Sequence, residues 1–270
     1  MEESSNFQKY FVIWLLPSAV RRMPSTEPDV SFPPLFAYNI PMSTIAIILA
    51  GGSGERFQGP EPKQFLKIGD KTLLAICLER FQGHPGVDGI VLVCPAASLA
   101  RARKIVAGGA FSKVARVLAG GKTRQESSAL GVAALPAKTG SVLIHDAARA
   151  LVPAAVITRV LETLAGEAAV MPVIPAGDTT VRIDGAGQVT AVLDREKLRR
   201  VQTPQGFRSG IIIQAHELAR QEGYRDAGDD CSLVLRYNLA PVSTVAGDAD
   251  NIKITYPADM LIAETILKLS

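Results

Sequence analysis

Strand-like runs recur along this chain, and most are apolar throughout rather than alternating. They are Ile45–Leu49, Gly89–Cys94, Lys113–Leu118, Ser141–Ile144 and Ala168–Ile174. Segments that read as helices separate them: Thr72–Phe81, Ala96–Ala107, Arg124–Leu135, and one opened by Pro153 that continues to about Ala165. A strand that is apolar on both faces needs cover on both faces. Strand–helix alternation supplies that cover through crossover helices, so the pattern predicts an α/β domain with a mostly parallel sheet. The chain has 270 residues, 47% of them hydrophobic, enough for one sizeable domain of this kind. In such sheets ligands bind outside the carboxyl ends of the strands. Ala50–Gly54, Gly120–Lys122 and Asp146–Arg149 all fall at such ends.

The pattern changes at Asp178. Thr179–Ile183 and Val189–Leu193 alternate and flank Asp184-Gly185-Ala186-Gly187, which predicts a projecting β-hairpin. An isolated two-stranded ribbon is marginal in water, so it is expected to pack on a second subunit. A loop, Val201–Gln205, follows. Then come helices over Ser209–Glu222 and Asp229–Tyr237, short strands over Pro241–Ala246 and Ile252–Thr255, and a terminal helix from Pro257 to about Leu269. Residues 1–43 differ in composition, lack long periodicity and read as a poorly ordered extension without catalytic function. Within it Phe11–Leu16 is far too short to span a bilayer, and the acidic start does not suit a signal peptide.

Charge and cysteine usage narrow the classes. The net charge is only +3 and the cations are dispersed, with one short cluster at Arg195–Arg200, so no nucleic-acid partner is expected. Cys77, Cys94 and Cys231 form no CxxC pair and sit in apolar or helical settings. They point to a reducing, cytoplasmic compartment rather than a disulfide framework or zinc site. His84, His145 and His216 show no ligand spacing; His84 and His216 read as surface or packing residues.

The first strand breaks into Gly51-Gly52-Ser53-Gly54, followed by Arg56 and Lys63 in a loop stiffened by Pro60 and Pro62. Glycines present backbone N–H groups without a Cβ, which suits a phosphate chain. Fixed cations beside them suit charge that develops in phosphoryl or nucleotidyl transfer. A dinucleotide fingerprint would need a third glycine, and a Walker A loop would need Gly-Lys-Ser/Thr; neither is present.

The loop G-x-G-x-R followed by Pro62-Lys63 resembles the signature of nucleotidyltransferases that join a nucleoside triphosphate to a sugar or polyol phosphate. Asp146-Ala147-Ala148-Arg149, Asp194-Arg195, Thr203-Pro204-Gln205 and Ala249-Asp250-Asn251-Ile252-Lys253 follow in order. Together these motifs resemble the 2-C-methyl-D-erythritol 4-phosphate cytidylyltransferase family of the non-mevalonate isoprenoid pathway, over 44–270. The resemblance implies a single Rossmann-like domain of nucleotidyltransferase type whose β-hairpin arm, about 178–207, forms a homodimer. It implies transfer of CMP from CTP to a polyol phosphate, with Mg²⁺ and release of pyrophosphate.

By motif position the resemblance gives Arg56 and Lys63 the stabilisation of the transition state. Arg195 and Lys253 would hold the methylerythritol phosphate, with Arg195 reaching a partner's site from the arm. Ala50, Gly51, Gly52 and Gly54 would cradle the nucleotide, and Gly121 and Ser127 would face the cytosine. Asp146, Ala147 and Arg149 would contact the nucleotide, Asp146 also being the candidate Mg²⁺ contact beside an ion held mostly by CTP. Thr179 and Thr203 would bind the acceptor, and Asp250 would orient Lys253. Ala150 stands where the family commonly has proline, and Gly228 where it usually has threonine. Two rival readings share much of this pattern: a ribitol 5-phosphate cytidylyltransferase and a catalytically silent nucleotide-binding domain.

Overall fold

The computed structural model describes residues 42–51, 57 and 61–269. The expected extension up to residue 41, together with Gly52, Gly54 and Arg56, lies outside the described residues.

The first half follows the strand–helix alternation. β1 (Ser43–Leu49) leads through a 3₁₀ turn, Lys63–Phe65, to the small ribbon β2 (Lys67–Ile68) and β3 (Lys71–Thr72). Then come α1 (Leu73–Gln82), β4 (Gly89–Cys94), α2 (Leu99–Gly108), β5 (Val114–Ala119), α3 (Arg124–Ala133), β6 (Thr139–Asp146), α4 (Ala154–Leu164) and β7 (Ala169–Pro175). The second half holds the hairpin β8 (Val181–Ile183) and β9 (Val189–Val192), a 3₁₀ turn Arg195–Lys197, β10 (Arg199–Val201) and β11 (Gln205–Arg208). It closes with α5 (Ser209–Glu222), α6 (Asp230–Arg236), β12 (Ser243–Ala246) and α7 (Pro257–Leu269).

Among the described residues eight strands form one mixed sheet. β5, β4, β1 and β6 are parallel neighbours, and β12 runs parallel to β7. Every residue of β4 is buried, as its unbroken apolar run requires. Along β1, Ala46 and Ile48 join the core cluster that includes α1 and α4. Ile45, Ile47 and Leu49 join the opposite cluster, which includes α5 and α6. The sheet is therefore covered on both faces. Helix α3 comes so close to β1 that a Cβ at Gly131 would lie 2.5 Å from Ile47 Cγ2.

The loop expected over 201–205 is confined to 202–204: Val201 ends β10 and Gln205 begins β11. Val173 of β7 pairs with Val201 on one side and Ala246 on the other, and Val170 pairs likewise with Gly206 and Ser243. β10 and β11 thus occupy the same lane, antiparallel to β7, with a cis Thr203–Pro204 peptide between them. β11 also pairs with β6 and so bridges the two halves. The reason it escapes a pattern search is its composition: Gln205-Gly206-Phe207 has no apolar run, yet all three are buried by neighbours. The strand expected over 252–255 is not formed; Ile254 N–H donates instead to Ala148 O at 2.9 Å.

The hairpin is present. Asp184 Oδ1 accepts from Ala186 N and Gln188 N, both at 2.9 Å, and Gly187 closes the turn with φ +81°, a conformation glycine tolerates without cost. Val181 faces Val192 and Ile183 faces Val189 across the ribbon. Cross-strand partners share a face, so these four form one apolar face. They are 41–68% exposed.

Candidate active site

The site is built where β1 and β6 end side by side, Leu49 paired with Asp146. Ala50 N–H donates to Val93 O at 2.7 Å and Ala147 N–H to Leu49 O at 3.0 Å, so both strands turn out of the sheet at one level. A pocket of about 270 Å³ opens there, lined by Ala50, Gly51, Lys63, Arg124, Asp146 and Lys253 among others. Gln64 also lines it; its amide is buried, and neither Nε2 nor Oε1 has a hydrogen-bond partner.

Asp146 is the electrostatic centre. Its Oδ1 accepts from Arg124 Nε at 3.0 Å and its Oδ2 from Lys253 Nζ at 2.7 Å. Burial alone would push this carboxyl up; the Arg124 and Lys253 charges outweigh burial and hold it well below the usual carboxylate range. Asp250, expected to orient Lys253, is exposed and instead takes its place in a turn through Asp248. Lys63 Nζ donates to Ile254 O at 3.2 Å, which ties the 3₁₀ turn at Lys63–Phe65 to the segment carrying Lys253.

Arg124 was not singled out by sequence reasoning. Thr123 caps α3 by accepting from Glu126 N at 3.1 Å, and Glu126 reaches back to Lys122 N at 2.7 Å. This Thr-x-x-Glu cap fixes Arg124 in the first turn. Its Nη1 lies 2.8 Å from Asp230 Oδ2, so one guanidinium joins two carboxylates. Burial pushes Asp230 up, but Arg124 and hydrogen bonds from His216 and Ser128 bring it down to about 2. Ser128, His216 and Asp230 have the composition of a hydrolytic triad without its geometry. Ser128 Oγ donates to the carboxylate at 2.5 Å, and all three residues are buried. His216 Nε2 faces both Ser128 Oγ, at 3.3 Å, and Asp230 Oδ1, at 3.2 Å, whereas a triad uses one ring nitrogen for each, so no activated nucleophile results.

Beneath Asp146 lies a second support. His145 Nε2 faces the Arg149 carbonyl at 3.1 Å, so Nε2 carries the proton and Nδ1 accepts, at 3.0 Å, from the Thr203 hydroxyl. Thr203 Oγ1 in turn accepts from Asp146 N at 3.1 Å. Thr203 is thus buried and engaged inward. Arg149 donates to Asn251 O at 2.8 Å and Val201 O at 3.1 Å rather than pairing with Asp146. Ser127 Oγ donates to Thr123 O and accepts from Gly121 N, and it stands 3.7 Å from where a Gly51 Cβ would be. The structure therefore gathers Ala50, Gly51, Lys63, Gly121, Ser127, Asp146, Ala147 and Lys253 around one end of the sheet. Thr179 and Arg195 are exposed on either side of the hairpin and do not line the pocket.

His145 sets a pH dependence. Burial lowers it from the usual 6.5 to about 4, against the pull of Asp146. The unfolded chain binds a proton in that window and the folded chain does not. Stability is therefore full above pH 6.5 and falls as the pH drops toward 4, by on the order of 3 kcal/mol. Asp230, depressed from 3.8 to about 2, adds a further loss between those values. Urea midpoints measured from pH 7 downward should fall in the first window, and His145→Gln should flatten that fall. An unflattened curve would assign it to another group.

A site of clustered cations at strand ends, in a chain whose three cysteines are buried with thiols pushed up by burial, is suited to neutralising anionic substrates rather than to covalent catalysis. Comparison with known proteins agrees. Residues 44–269 match the family model described as IspD, 2-C-methyl-D-erythritol 4-phosphate cytidylyltransferase. The chain is similar to the enzyme of that name from Thermobifida fusca, 42% identical over 83% of this chain and 92% of that one. It is likewise 42% identical to the one from Geotalea uraniireducens, over 84% and 97%. The crystal structure of the Thermus thermophilus cytidylyltransferase superposes with a TM-score of 0.67 at 32% identity, covering 82% of this chain and 98% of that one. The chain belongs to the 2-C-methyl-D-erythritol 4-phosphate cytidylyltransferase family.

Proposed function

We propose that this chain transfers the cytidylyl group of CTP to 2-C-methyl-D-erythritol 4-phosphate. A phosphate oxygen of the acceptor attacks the α-phosphorus, the bond to the β-phosphate breaks, and pyrophosphate leaves. The acceptor phosphate, with a second pKa of about 6, is largely dianionic at neutral pH and needs no protein base. The protein's part is to place two polyanions in line and neutralise the charge between them. The observation that carries this reading is the meeting of Lys63, Lys253 and Arg124 at the end of the strand that opens the glycine loop. Lys63, with Arg56 from the loop, acts on the α-phosphate; Lys253, with Arg195, holds the acceptor.

Mg²⁺ is assigned to the CTP phosphates. Both oxygens of Asp146 already face cations, which favours an ion held mainly by the nucleotide phosphates. The apolar face of the β8–β9 ribbon supports a homodimer in which each arm lies on the other subunit. Buried free cysteines favour a cytoplasmic setting, and no helix among the described residues is long and apolar enough to cross a membrane.

Pyrophosphate release from CTP and Mg²⁺, measured with methylerythritol phosphate and with ribitol 5-phosphate, tests the reading. Turnover should require the first acceptor. Preference for ribitol phosphate would change the substrate, and CTP binding without turnover would make the chain a silent binding domain.

A further inference from the structure

The guanidinium of Arg124 is held from both sides. Behind it, Asp230 is fully buried; its Oδ1 meets Ser128 Oγ at 2.5 Å and His216 Nε2 at 3.2 Å, and its own backbone N–H donates to Gln205 Oε1 at 3.1 Å. In front of it, Asp146 offers one oxygen to Arg124 and the other to Lys253. One carboxylate is therefore divided between two cations. Facing Lys253 alone, Asp146 would form a one-to-one pair and cancel the charge of the lysine in a partly buried site, where such pairing is strong.

We infer that Arg124 is a positioning residue for the transfer reaction: by taking one oxygen of Asp146, it keeps Lys253 in place yet only half neutralised, with charge left for the acceptor phosphate. The inference rests on the proposed assignment of Lys253 to the acceptor. Arg124 acts here through Asp146 and need not touch the acceptor at all.

Arg124→Gln alone would strand Asp230 as an unpaired buried charge and endanger folding. The informative variant is Arg124→Gln with Asp230→Asn, which removes both charges and keeps amide hydrogen bonding, with its fold checked by circular dichroism. At saturating CTP, its KM for the polyol phosphate should rise about tenfold, the scale of one charge-assisted contact, while its CTP Kd moves less than about threefold. Adding Asp146→Asn removes the carboxylate that over-neutralises Lys253 and should return the acceptor KM toward the wild-type value. A merely structural role would not give this rescue. A folded double variant with an unmoved acceptor KM, or a triple variant without recovery, would overturn the inference while leaving the activity standing. A wild-type protein that releases no pyrophosphate would overturn the functional reading and this inference with it.

Discussion

Lys63→Ala is expected to lower kcat by about two to three orders of magnitude, the usual cost of removing one preorganised group that stabilises transition-state charge. Its effect on CTP affinity should be small by comparison. Bound CTP distributes its charge over several phosphate oxygens, which water and Mg²⁺ also serve. The α-phosphate acquires its additional demand only as the acceptor oxygen approaches. A cation fixed at that point favours the transition state over the ground state, and this differential is what raises kcat. The structure gives Lys63 the required fixity. It opens a 3₁₀ turn between Pro62 and the buried Gln64 and Phe65, and its Nζ donates to the carbonyl of Ile254. Single-turnover rates and calorimetric CTP titrations on the same preparation separate the two effects. A kcat within a few-fold of wild type would remove Lys63 from the chemistry.

Arg195→Ala should instead damage use of the acceptor. Its catalytic efficiency toward the polyol phosphate should fall about a hundredfold, with CTP binding retained, because the loss is of a charged contact to one substrate only. Arg195 lies in the exposed 3₁₀ turn after β9, capped by Asp194, whose Oδ1 accepts from Glu196 N at 3.1 Å. The proposal that it serves a partner's pocket can be tested by mixing. Take one inactive parent with Lys63→Ala and another with Arg195→Ala. If each site joins one body to the other subunit's arm, a heterodimer contains one intact site and one doubly damaged site. Random exchange of equal amounts makes half the dimers mixed, so about a quarter of wild-type activity should return. No recovery despite demonstrated exchange would place Arg195 and Lys63 in the same subunit's site, or Arg195 outside it.

The parallel half of the fold was legible because most strands there are apolar on both faces and the helices between them repeat their apolar residues at helical intervals. β4 and α5 are bounded where the pattern places them. β11 was not legible: Gln205 is buried for what its amide does, accepting from Asp230 N and Cys231 N at the start of α6, and no local periodicity announces such a role. The site divides the same way. Lys63, Asp146 and Lys253 stand in contiguous motifs with a recognisable chemical logic. Arg124 stands in none, and its partners, Asp146 and Asp230, lie 22 and 106 positions away. An ion pair of that kind exists only once α3, α6 and the end of β6 have been folded together. His216, which reads as a surface or packing residue, is buried and is also one of the groups holding Asp230.

The lane shared by β10 and β11 has a mechanical consequence. From Arg199 onward the chain that leaves the hairpin is laddered to β7, and by Gln205 it is laddered to β6 as well; between them Thr203 props the backbone of Asp146. The slack between the ribbon and this strut is confined to 193–198. A pull on the arm beyond that slack is met by the sheet itself, so the part of the molecule that would grip a neighbour and the part that would grip a nucleotide are anchored in the same beam.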